Sequence, residues 1–263
     1  MTTVHDILQA IEAFAPPYMK EDWDNVGLLC GSRSTPVTKV LVALDPFEHV
    51  CREASDWGAE LLVTHHPLIF TPTKSITDET SIGRSILHLC HHGISAINAH
   101  TNLDCTPGGV NDVLAAALGL EHIDVIAAKG NDSLNRPWGL LRQGTVPEQN
   151  LSQFLAVVKN ALSCNGLRYV DGGKSVRNVA VGGGSCASEL MDVYDAGCDT
   201  FVTADVKYNQ FWDAKELGIN LIDAGHFCTE NPIVTILARK IAQQFPDVDV
   251  KIAESHTDCT NFF

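Results

Sequence analysis

The sequence predicts an α/β protein made of two similar lobes. Apolar runs of strand length alternate with amphipathic segments of helix length along the 263 residues, a pattern typical of a sheet with helices on its faces. The order of these segments in the first half recurs in the second half. The periodicity breaks near residues 127–134, where polar residues and a glycine are clustered. We therefore place the first lobe at residues 1–128 and the second lobe at residues 129–263.

The recurrence pairs the predicted elements one by one and indicates an internal duplication. Counterparts lie 139 residues apart until the end of the third pair, after which the first half carries 14 additional, mostly polar residues. If a pseudo-twofold axis relates the lobes, equivalent strand ends converge on one cleft, which is a usual place for a binding site. The paired segments are strands 40–44 and 179–181, helices 48–57 and 187–196, strands 61–64 and 201–203, and strands 93–97 and 218–222.

The composition predicts a globular protein of the cytoplasm. Hydrophobic residues make up 45% of the chain and charged residues 19%, so a substantial core can form. No cationic leader precedes an apolar stretch, and no run approaches the roughly 18 apolar residues that a membrane span needs. Nine cysteines without a C-x-x-C pair argue against a disulfide framework or a thiolate zinc site. The formal charge of −14, with no basic cluster, makes nucleic acid an unfavourable partner.

Histidines and carboxylates are clustered at the ends of predicted strands. Ligand and catalytic groups collect at such ends in α/β proteins, and imidazole with carboxylate is a ligand set suited to a hydrolytic metal centre. The repeat aligns residues 64–66 with 203–205, and residues 99–104 with 224–230. Each histidine taken alone could instead be a capping or packing residue. The candidate ligands are His65-His66 after the run 61–64, His100 with Asp104, and His226 with Glu230.

The neighbouring His65 and His66 set a geometric condition. In a regular strand adjacent side chains point to opposite faces, so both rings reach one site only if the strand has already ended. Pro67 favours an extended conformation of His66, and the pair could then serve two ions about 3.5 to 4 Å apart. Glu230 is predicted to open a helix over residues 229–245 with Thr229 as its N-cap, where the helix dipole favours a carboxylate.

Other features have simpler interpretations. The Gly-Gly-Gly-Ser segment at 182–185 is predicted to form a tight turn, with an anion-binding loop as the alternative. The pair at 91–92 is predicted to cap the end of a helix. Four further histidines are interpreted as surface or structural residues, and two cysteines lie beside the candidate ligands and could also touch a metal. These are His5, His49, His122 and His256, and Cys105 and Cys228.

Four separated motifs resemble those of the NIF3-like family, whose members are also named GTP cyclohydrolase 1 type 2 homologs. The motifs are WDNVGL at 23–28, THHPLIF at 64–70, AHTNLD at 99–104 and GHFCTE at 225–230, with GGVND at 108–112 following the third. The resemblance covers the whole chain and matches the short form of the family, without an inserted domain. It implies two similar α/β lobes, a toroidal homohexamer and a dinuclear metal centre in each subunit. One departure is the segment 203–210, which lacks a glycine and a histidine that relatives often carry.

Carried over by position, the resemblance implies that the metal ligands are His65, His66, Asp104, His226 and Glu230. It implies that His100 lies next to these ligands and does not itself bind the metal. Imidazole-rich sites of this kind accept zinc, iron, manganese, cobalt or nickel. Two divalent ions would bring the pKa of a bridging water near neutrality, so the resemblance implies a metal-dependent hydrolase. Glu230 or Asp104 would accept the proton, and His100 would orient or relay it.

The substrate implied by the family name is a small molecule of the nucleotide class such as GTP. No residue in the sequence selects guanine. A non-catalytic protein, whose metal ions stabilise an oligomer that binds or regulates, is the alternative. A regulatory toroid that binds nucleic acid is a third possibility, which the charge of the chain opposes.

Overall fold

The computed structural model describes all 263 residues, which form ten α-helices and thirteen strands. In chain order these are α1 Val4–Phe14, β1 Gly27–Cys30, β2 Lys39–Ala43, α2 Glu48–Trp57, β3 Leu61–Thr64, α3 Ser81–His91, β4 Ser95–Asn98, α4 Thr101–Cys105, α5 Val110–Ala117, β5 Glu121–Ile126, β6 Gly130–Asn131, β7 Pro137–Trp138, β8 Leu141–Gln149, α6 Leu151–Ala161, β9 Arg168–Val170, β10 Val176–Val181, α7 Leu190–Asp195, β11 Thr200–Thr203, α8 Tyr208–Leu217, β12 Asn220–Asp223, α9 His226–Glu230, α10 Pro232–Gln244 and β13 Asp249–Ile252. Short 3-10 helices occupy Pro17–Met19 and Cys186–Glu189.

The chain folds into two compact units whose limits differ from the predicted boundary at residue 128. Unit 1 contains Met1–Leu103 and Ile233–Thr257, and unit 2 contains Asp104–Pro232 and Asp258–Phe263. Strand pairing explains the difference. The late strand β13 pairs in parallel with β2 of the first half, and the early strand β5 pairs with β8 of the second half. Sequence position therefore does not decide to which unit these strands belong.

Unit 1 is built on a five-stranded sheet in the order β1-β4-β3-β2-β13. The four strands from β13 to β4 are parallel, and β1 runs antiparallel to β4 at the edge. One face packs against α2 and α3 through a core that includes Leu41, Leu62 and Leu89. Helix α2 ends where predicted because Gly58 adopts the left-handed conformation of a C-cap (φ +77°). The parallel strands bring their carboxyl ends, and the residues that follow them, to one edge of this sheet.

Unit 2 is built on a six-stranded sheet in the order β5-β8-β10-β11-β12-β9, with a separate short hairpin of β6 and β7. Strands β10, β11 and β12 are parallel. Alternate side chains of these strands enter two cores, so that Val202 lies in one core and Phe201 in the other. Both side chains are fully buried, and each such burial contributes roughly 1.5 to 3 kcal/mol to stability.

Each predicted pair of strands occupies the same place in its own sheet. In unit 1, β2, β3 and β4 are adjacent parallel strands with an antiparallel strand beyond β4, and in unit 2, β10, β11 and β12 are arranged likewise, with β9 beyond β12. The chain is thus a mixed α/β protein. The predicted helix 187–196 is a 3-10 turn followed by the short α7. No helix has both the length and the apolar character that crossing a bilayer requires.

The segment after β13 is tied to α2 by one carboxylate. Glu53 accepts hydrogen bonds from the backbone amides of Glu254 (3.0 Å) and Ser255 (2.9 Å) and forms an ion pair with Lys251 (3.2 Å). Burial alone would raise the pKa of the Glu53 carboxyl, but the hydrogen bonds from Ser255 and Glu254 outweigh it and lower the pKa to about 2.

This lowered pKa predicts a pH-dependent contribution to stability. Because the carboxyl is more acidic in the folded protein, its contribution is complete above its ordinary pKa of 4.5 and is lost as the pH falls from there towards 2. We expect Glu53→Gln to lower the free energy of unfolding at pH 7 by about 1 to 2 kcal/mol. Urea unfolding of both proteins between pH 7 and pH 3 tests this. A stability difference that stays constant with pH would contradict the assignment.

Candidate functional site

His65 and His66 follow directly after β3, which ends at Thr64 as predicted. His65 is fully buried, and its Nδ1 lies 2.9 Å from the carbonyl oxygen of Ala99. The backbone amide of His66 donates to the carbonyl of Leu44 (2.8 Å), and its carbonyl accepts from the Thr64 hydroxyl (2.7 Å). These bonds hold the backbone of the pair after the strand has ended, which is the condition for both rings to serve one site.

A carboxylate from a neighbouring loop orients the His66 ring. Asp45, which follows β2, accepts from His66 Nδ1 through Oδ1 at 2.6 Å. Burial favours a higher pKa of the Asp45 carboxyl, but hydrogen bonds from His256 and His66 outweigh it and hold the pKa well below its ordinary value. Asp45 is therefore an anion at neutral pH and a strong acceptor for the imidazole.

His100 follows β4 and is oriented in the same manner. Its Nδ1 lies 2.8 Å from Asp24 Oδ1, while Asp24 Oδ2 accepts from the amide (3.0 Å) and the hydroxyl of Thr101. Burial would raise the pKa of Asp24, but the bonds from His100 and Thr101 outweigh it and lower the pKa well below its ordinary value. The Asp24 carboxylate thus fixes the His100 ring from the loop that carries the WDNVGL motif.

The three imidazoles of unit 1 are close enough to share an ion. Each offers a ring nitrogen, and the three nitrogens of His65, His66 and His100 lie within 4.8 Å of one another. A carbonyl or carboxylate oxygen can only accept, so in each ring Nδ1 carries the proton and Nε2 has a lone pair to offer. This arrangement of a histidine whose other nitrogen donates to an oxygen is the usual one in metal sites.

Unit 2 carries a second group on the short helix α9. His226 and Glu230 are its first and last residues, one turn apart on the same face, with His226 Nε2 3.0 Å from Glu230 Oε2. The predicted N-cap is wrong, since the Thr229 hydroxyl bonds to the carbonyls of His226 (2.9 Å) and Gly225 (3.1 Å) inside α9. Glu230 therefore ends α9, and the dipole of a helix that it would open does not explain its position.

Asp205 orients the His226 ring, and sequence reasoning left its role open. Its Oδ2 lies 2.7 Å from His226 Nδ1 and also accepts from the Ser185 hydroxyl. Burial would raise the pKa of Asp205, but the bonds from Ser185 and His226 outweigh it and lower the pKa. The available signal was the repeat, which aligns Asp205 with His66 of the first half.

Hydrogen bonds from neighbouring side chains hold the backbone around Asp104, whose carboxylate lies beside that of Glu230. The two side chains are 7% and 4% exposed, and each offers a carboxylate oxygen within 4.8 Å of the other. Asn111 donates to the carbonyl of Asp104 (3.2 Å) and accepts from the amide of Gly183 (2.7 Å). The buried Arg142 donates to the carbonyls of residues 105 and 106, both at 3.2 Å. Unit 2 therefore supplies two buried carboxylates and one anchored imidazole.

The glycine-rich segment 182–185 is a tight turn packed against the Glu230 carboxylate. The amides of Gly183 and Gly184 donate to Asn111 and to the Thr229 hydroxyl (3.0 Å), so they are engaged within the protein and do not form an open anion cradle. Gly184 has a left-handed backbone (φ +62°), and a Cβ there would lie 2.2 Å from Glu230 Oε1 and 3.1 Å from His226 Nε2. Only glycine allows the turn to approach Glu230 so closely.

The two cysteines beside the candidate ligands, Cys105 and Cys228, are buried and form no disulfide. Cys228 shares a hydrogen bond with Cys164, which lowers the pKa of Cys228 and raises that of Cys164. Cys164 also donates to the carbonyl of Ala224 (3.3 Å). The Cys228 thiol thus packs among the apolar residues of one core of unit 2, as expected for a small hydrophobic residue.

The bond between Asp205 and His226 gives a direct test of the unit 2 group. We expect Asp205→Asn, which keeps the shape but removes the charge, to weaken metal binding by roughly 10-fold. Competition with a chromogenic chelator measures the affinity. Asp213→Asn, at an exposed aspartate of α8, is the matched control and should leave the affinity unchanged. Equal affinities for Asp205→Asn and the control would exclude a role of Asp205 in holding His226.

Comparison with known proteins shows the family to which the chain belongs. The model of the Duf34/NIF3 (NGG1p interacting factor 3) family matches residues 2–260. A protein of Clostridium perfringens named GTP cyclohydrolase 1 type 2 homolog is 36% identical over 256 residues, which cover 96% of this chain and 95% of the relative. A protein of Lactococcus lactis with the same name is 30% identical over 264 residues and covers 99% and 98% of the two chains.

The solved structures agree with the sequence matches. A Bacillus cereus protein related to NIF3 superposes with a TM-score of 0.93 at 26% identity, over 100% of this chain and 99% of the other. The family match spans all the residues of both groups, and the fold is shared along the full length. The chain belongs to the Duf34/NIF3 family.

Proposed function

We propose that His65, His66, Asp104, His226 and Glu230 together hold two divalent metal ions. The observation that carries this proposal is that His65 and His66 each have Nδ1 bonded to an oxygen atom, which leaves Nε2 as the nitrogen that would bind a metal. In addition, His226 Nε2 lies 3.0 Å from the Glu230 carboxylate, as two ligands of one ion would. The carboxylates of Asp104 and Glu230 supply charge to neutralise the cations. Imidazole and carboxylate fit zinc, iron, manganese, cobalt or nickel.

The reaction that suits such a centre is hydrolysis. Two bound divalent ions would supply a Lewis acid and lower the pKa of a bound water towards neutrality. Glu230 or Asp104, both of which are buried, would accept a proton from the attacking water. His100, whose Nδ1 donates to Asp24, would orient that water or relay its proton through Nε2. The Asp24 carboxylate would stabilise His100 when it is protonated.

Two exposed aromatic residues beside His100 support a substrate that carries a planar ring. The Trp23 and Phe70 side chains are 61% and 53% exposed, and their ring centroids are 5.6 Å apart. The centroids of the Trp23 and Phe70 rings lie 6.2 Å and 6.1 Å from the centroid of the His100 ring. Aromatic side chains of this kind stack on nucleobases. The relatives are named GTP cyclohydrolase 1 type 2 homologs, and we propose a nucleotide or a related small molecule as substrate.

Reconstitution with single metals tests the hydrolase proposal. Protein stripped with a chelator and reloaded with zinc, manganese or iron should hydrolyse at least one member of a panel of nucleoside triphosphates, phosphate esters and cyclic amides. Glu230→Gln should abolish that turnover, and Trp23→Ala should raise KM for ring-bearing substrates without changing the metal content. Metal binding without turnover of any substrate would refute the hydrolase proposal and favour the non-catalytic alternative described next.

The alternative is a non-catalytic protein whose ions stabilise a binding or regulatory oligomer. The deep burial of His65, Asp104 and Glu230 favours it, because a catalytic metal site must keep one coordination position open to water or substrate. In that case chelation should change the oligomeric state and the melting temperature while no substrate is consumed. The homohexamer, the cytoplasmic location and the internal duplication stay predictions, of which the duplication is supported by the matched strand order of the two sheets.

A further inference from the structure

The last segment of the chain contacts a carboxylate that supports a candidate metal ligand. Asp45 uses both of its oxygens, since Oδ1 lies 2.6 Å from His66 Nδ1 and Oδ2 lies 2.9 Å from His256 Nε2. The His256 side chain is 4% exposed, although the sequence motifs do not include it. The result is a chain of three side chains, from His256 through Asp45 to His66, within unit 1.

The segment that leads to His256 is held by three backbone hydrogen bonds directly after β13. The backbone amide of Ala253 donates to the carbonyl of Val42 (2.9 Å) and continues the pairing of β13 with β2. The next two amides donate to Glu53, as described above. With its backbone held in this way, the His256 ring can direct a fixed N–H towards Asp45.

We propose that His256 is a positioning residue for His66, acting through Asp45, and that the end of the chain thereby sets the metal affinity of the site. The inference rests on the proposed function. A carboxylate held by one partner can rotate about its Cβ–Cγ bond, whereas one held through both oxygens has a fixed plane. The fixed plane in turn fixes the His66 ring and keeps the proton on Nδ1, so that Nε2 faces the metal. Outer partners of this kind change metal affinity by roughly 10- to 100-fold.

A purely structural role of His256 makes different predictions. If the ring only anchors the end of the chain, its removal should lower the melting temperature but leave zinc affinity and the His66 tautomer as in the wild type. Glu53→Ala provides the matched comparison, because it releases the same segment without removing the donor to Asp45. The proposal requires His256→Leu to exceed Glu53→Ala in its effect on zinc affinity.

The experiment compares wild type, His256→Leu, His256→Gln and Glu53→Ala. Zinc affinity is measured by chelator competition, and histidine-selective ¹⁵N spectra of the metal-free proteins report the tautomer of His66. We expect His256→Leu to weaken zinc binding about 10-fold and to give a mixture of His66 tautomers. His256→Gln, whose amide can replace the Nε2–H donor, should restore both properties to near the wild type. If His256→Leu does not fold, His256→Asn, whose shorter amide does not reach Asp45, takes its place.

The outcomes separate this inference from the proposed function. Wild-type zinc affinity and a single His66 tautomer in His256→Leu would overturn the positioning role and leave the metal centre intact. Failure of the wild type to bind zinc or any other divalent ion would refute the metal centre and this inference with it. A tautomer change without an affinity change would show that Asp45 orients His66 but does not limit metal binding, and the proposal would again be wrong.

Discussion

Glu230→Ala protein, purified without added metal, is expected to contain one equivalent of divalent metal per chain or none, against the two equivalents expected for the wild type. A Glu230 carboxylate oxygen lies within 4.8 Å of one from Asp104, and Glu230 Oε2 lies 3.0 Å from His226 Nε2, so Glu230 can share an ion with each of these neighbours. The methyl group of alanine has no atom that can bind a metal, so the substitution removes a ligand and no other group takes its place. His66→Ala should have the same effect from unit 1, since it removes the imidazole that Asp45 orients.

Elemental analysis of the purified proteins tests both variants. Glu216→Ala and His49→Ala are the matched controls, because each removes the same type of side chain from an exposed position of its own unit. The controls should keep two equivalents per chain. An unchanged metal content in both Glu230→Ala and His66→Ala would refute the ligand assignment, and no other property of the family could then support it.

Gly184→Ala is expected to damage the same centre without removing any ligand. The added Cβ would lie 2.2 Å from Glu230 Oε1, closer than any real contact of this type, and the turn cannot retreat because its amides are bonded to Asn111 and Thr229. The Glu230 carboxylate must therefore move. The left-handed backbone adds a penalty of roughly 1 to 2 kcal/mol for any residue with a Cβ. We expect loss of at least one metal equivalent together with lower stability.

Gly197→Ala separates these two effects. Gly197 also has a left-handed backbone (φ +76°), but a Cβ built there has no neighbour within 4 Å. It should therefore lose roughly 1 to 2 kcal/mol in the free energy of unfolding and retain its metal. Urea unfolding and elemental analysis of both variants provide the comparison. Equal behaviour of Gly184→Ala and Gly197→Ala would mean that the close approach to Glu230 has no consequence for metal binding.

Local patterns were sufficient to predict six of the thirteen strands, namely β2, β3 and β4 and their counterparts β10, β11 and β12. The apolar run 61–64 ends at His65 and His66, and the structure ends β3 at the same residue because a buried parallel strand is apolar throughout while the residues after it are free to be polar. Helix α2 also matches its predicted limits, since an amphipathic segment followed by glycine is a local signal. Hydrophobic periodicity acts over a few residues and can be read without knowing the fold.

The prediction failed where the decisive contact is distant along the chain. Strand β13 joins the first sheet although it lies more than 200 residues after β2, and no local pattern specifies that partner. The sequence predicted one helix over residues 229–245, whereas in the structure α9 ends at Glu230 and α10 begins at Pro232. Asn231, which separates the two helices, is not a residue type that by itself signals the end of a helix. The limits of the two units also depend on distant contacts, because each strand belongs to the unit whose sheet it pairs with.

The sequence by itself determined the α/β class, the recurring order of strands and helices along the chain, and the residues that carry imidazole and carboxylate groups. Only the tertiary structure decided which carboxylates orient which imidazoles. Asp24 lies 76 residues from His100, and Asp45 lies 211 residues from His256. A hydrogen bond depends on direction and on distances near 3 Å, and folding rather than local composition sets both across such separations.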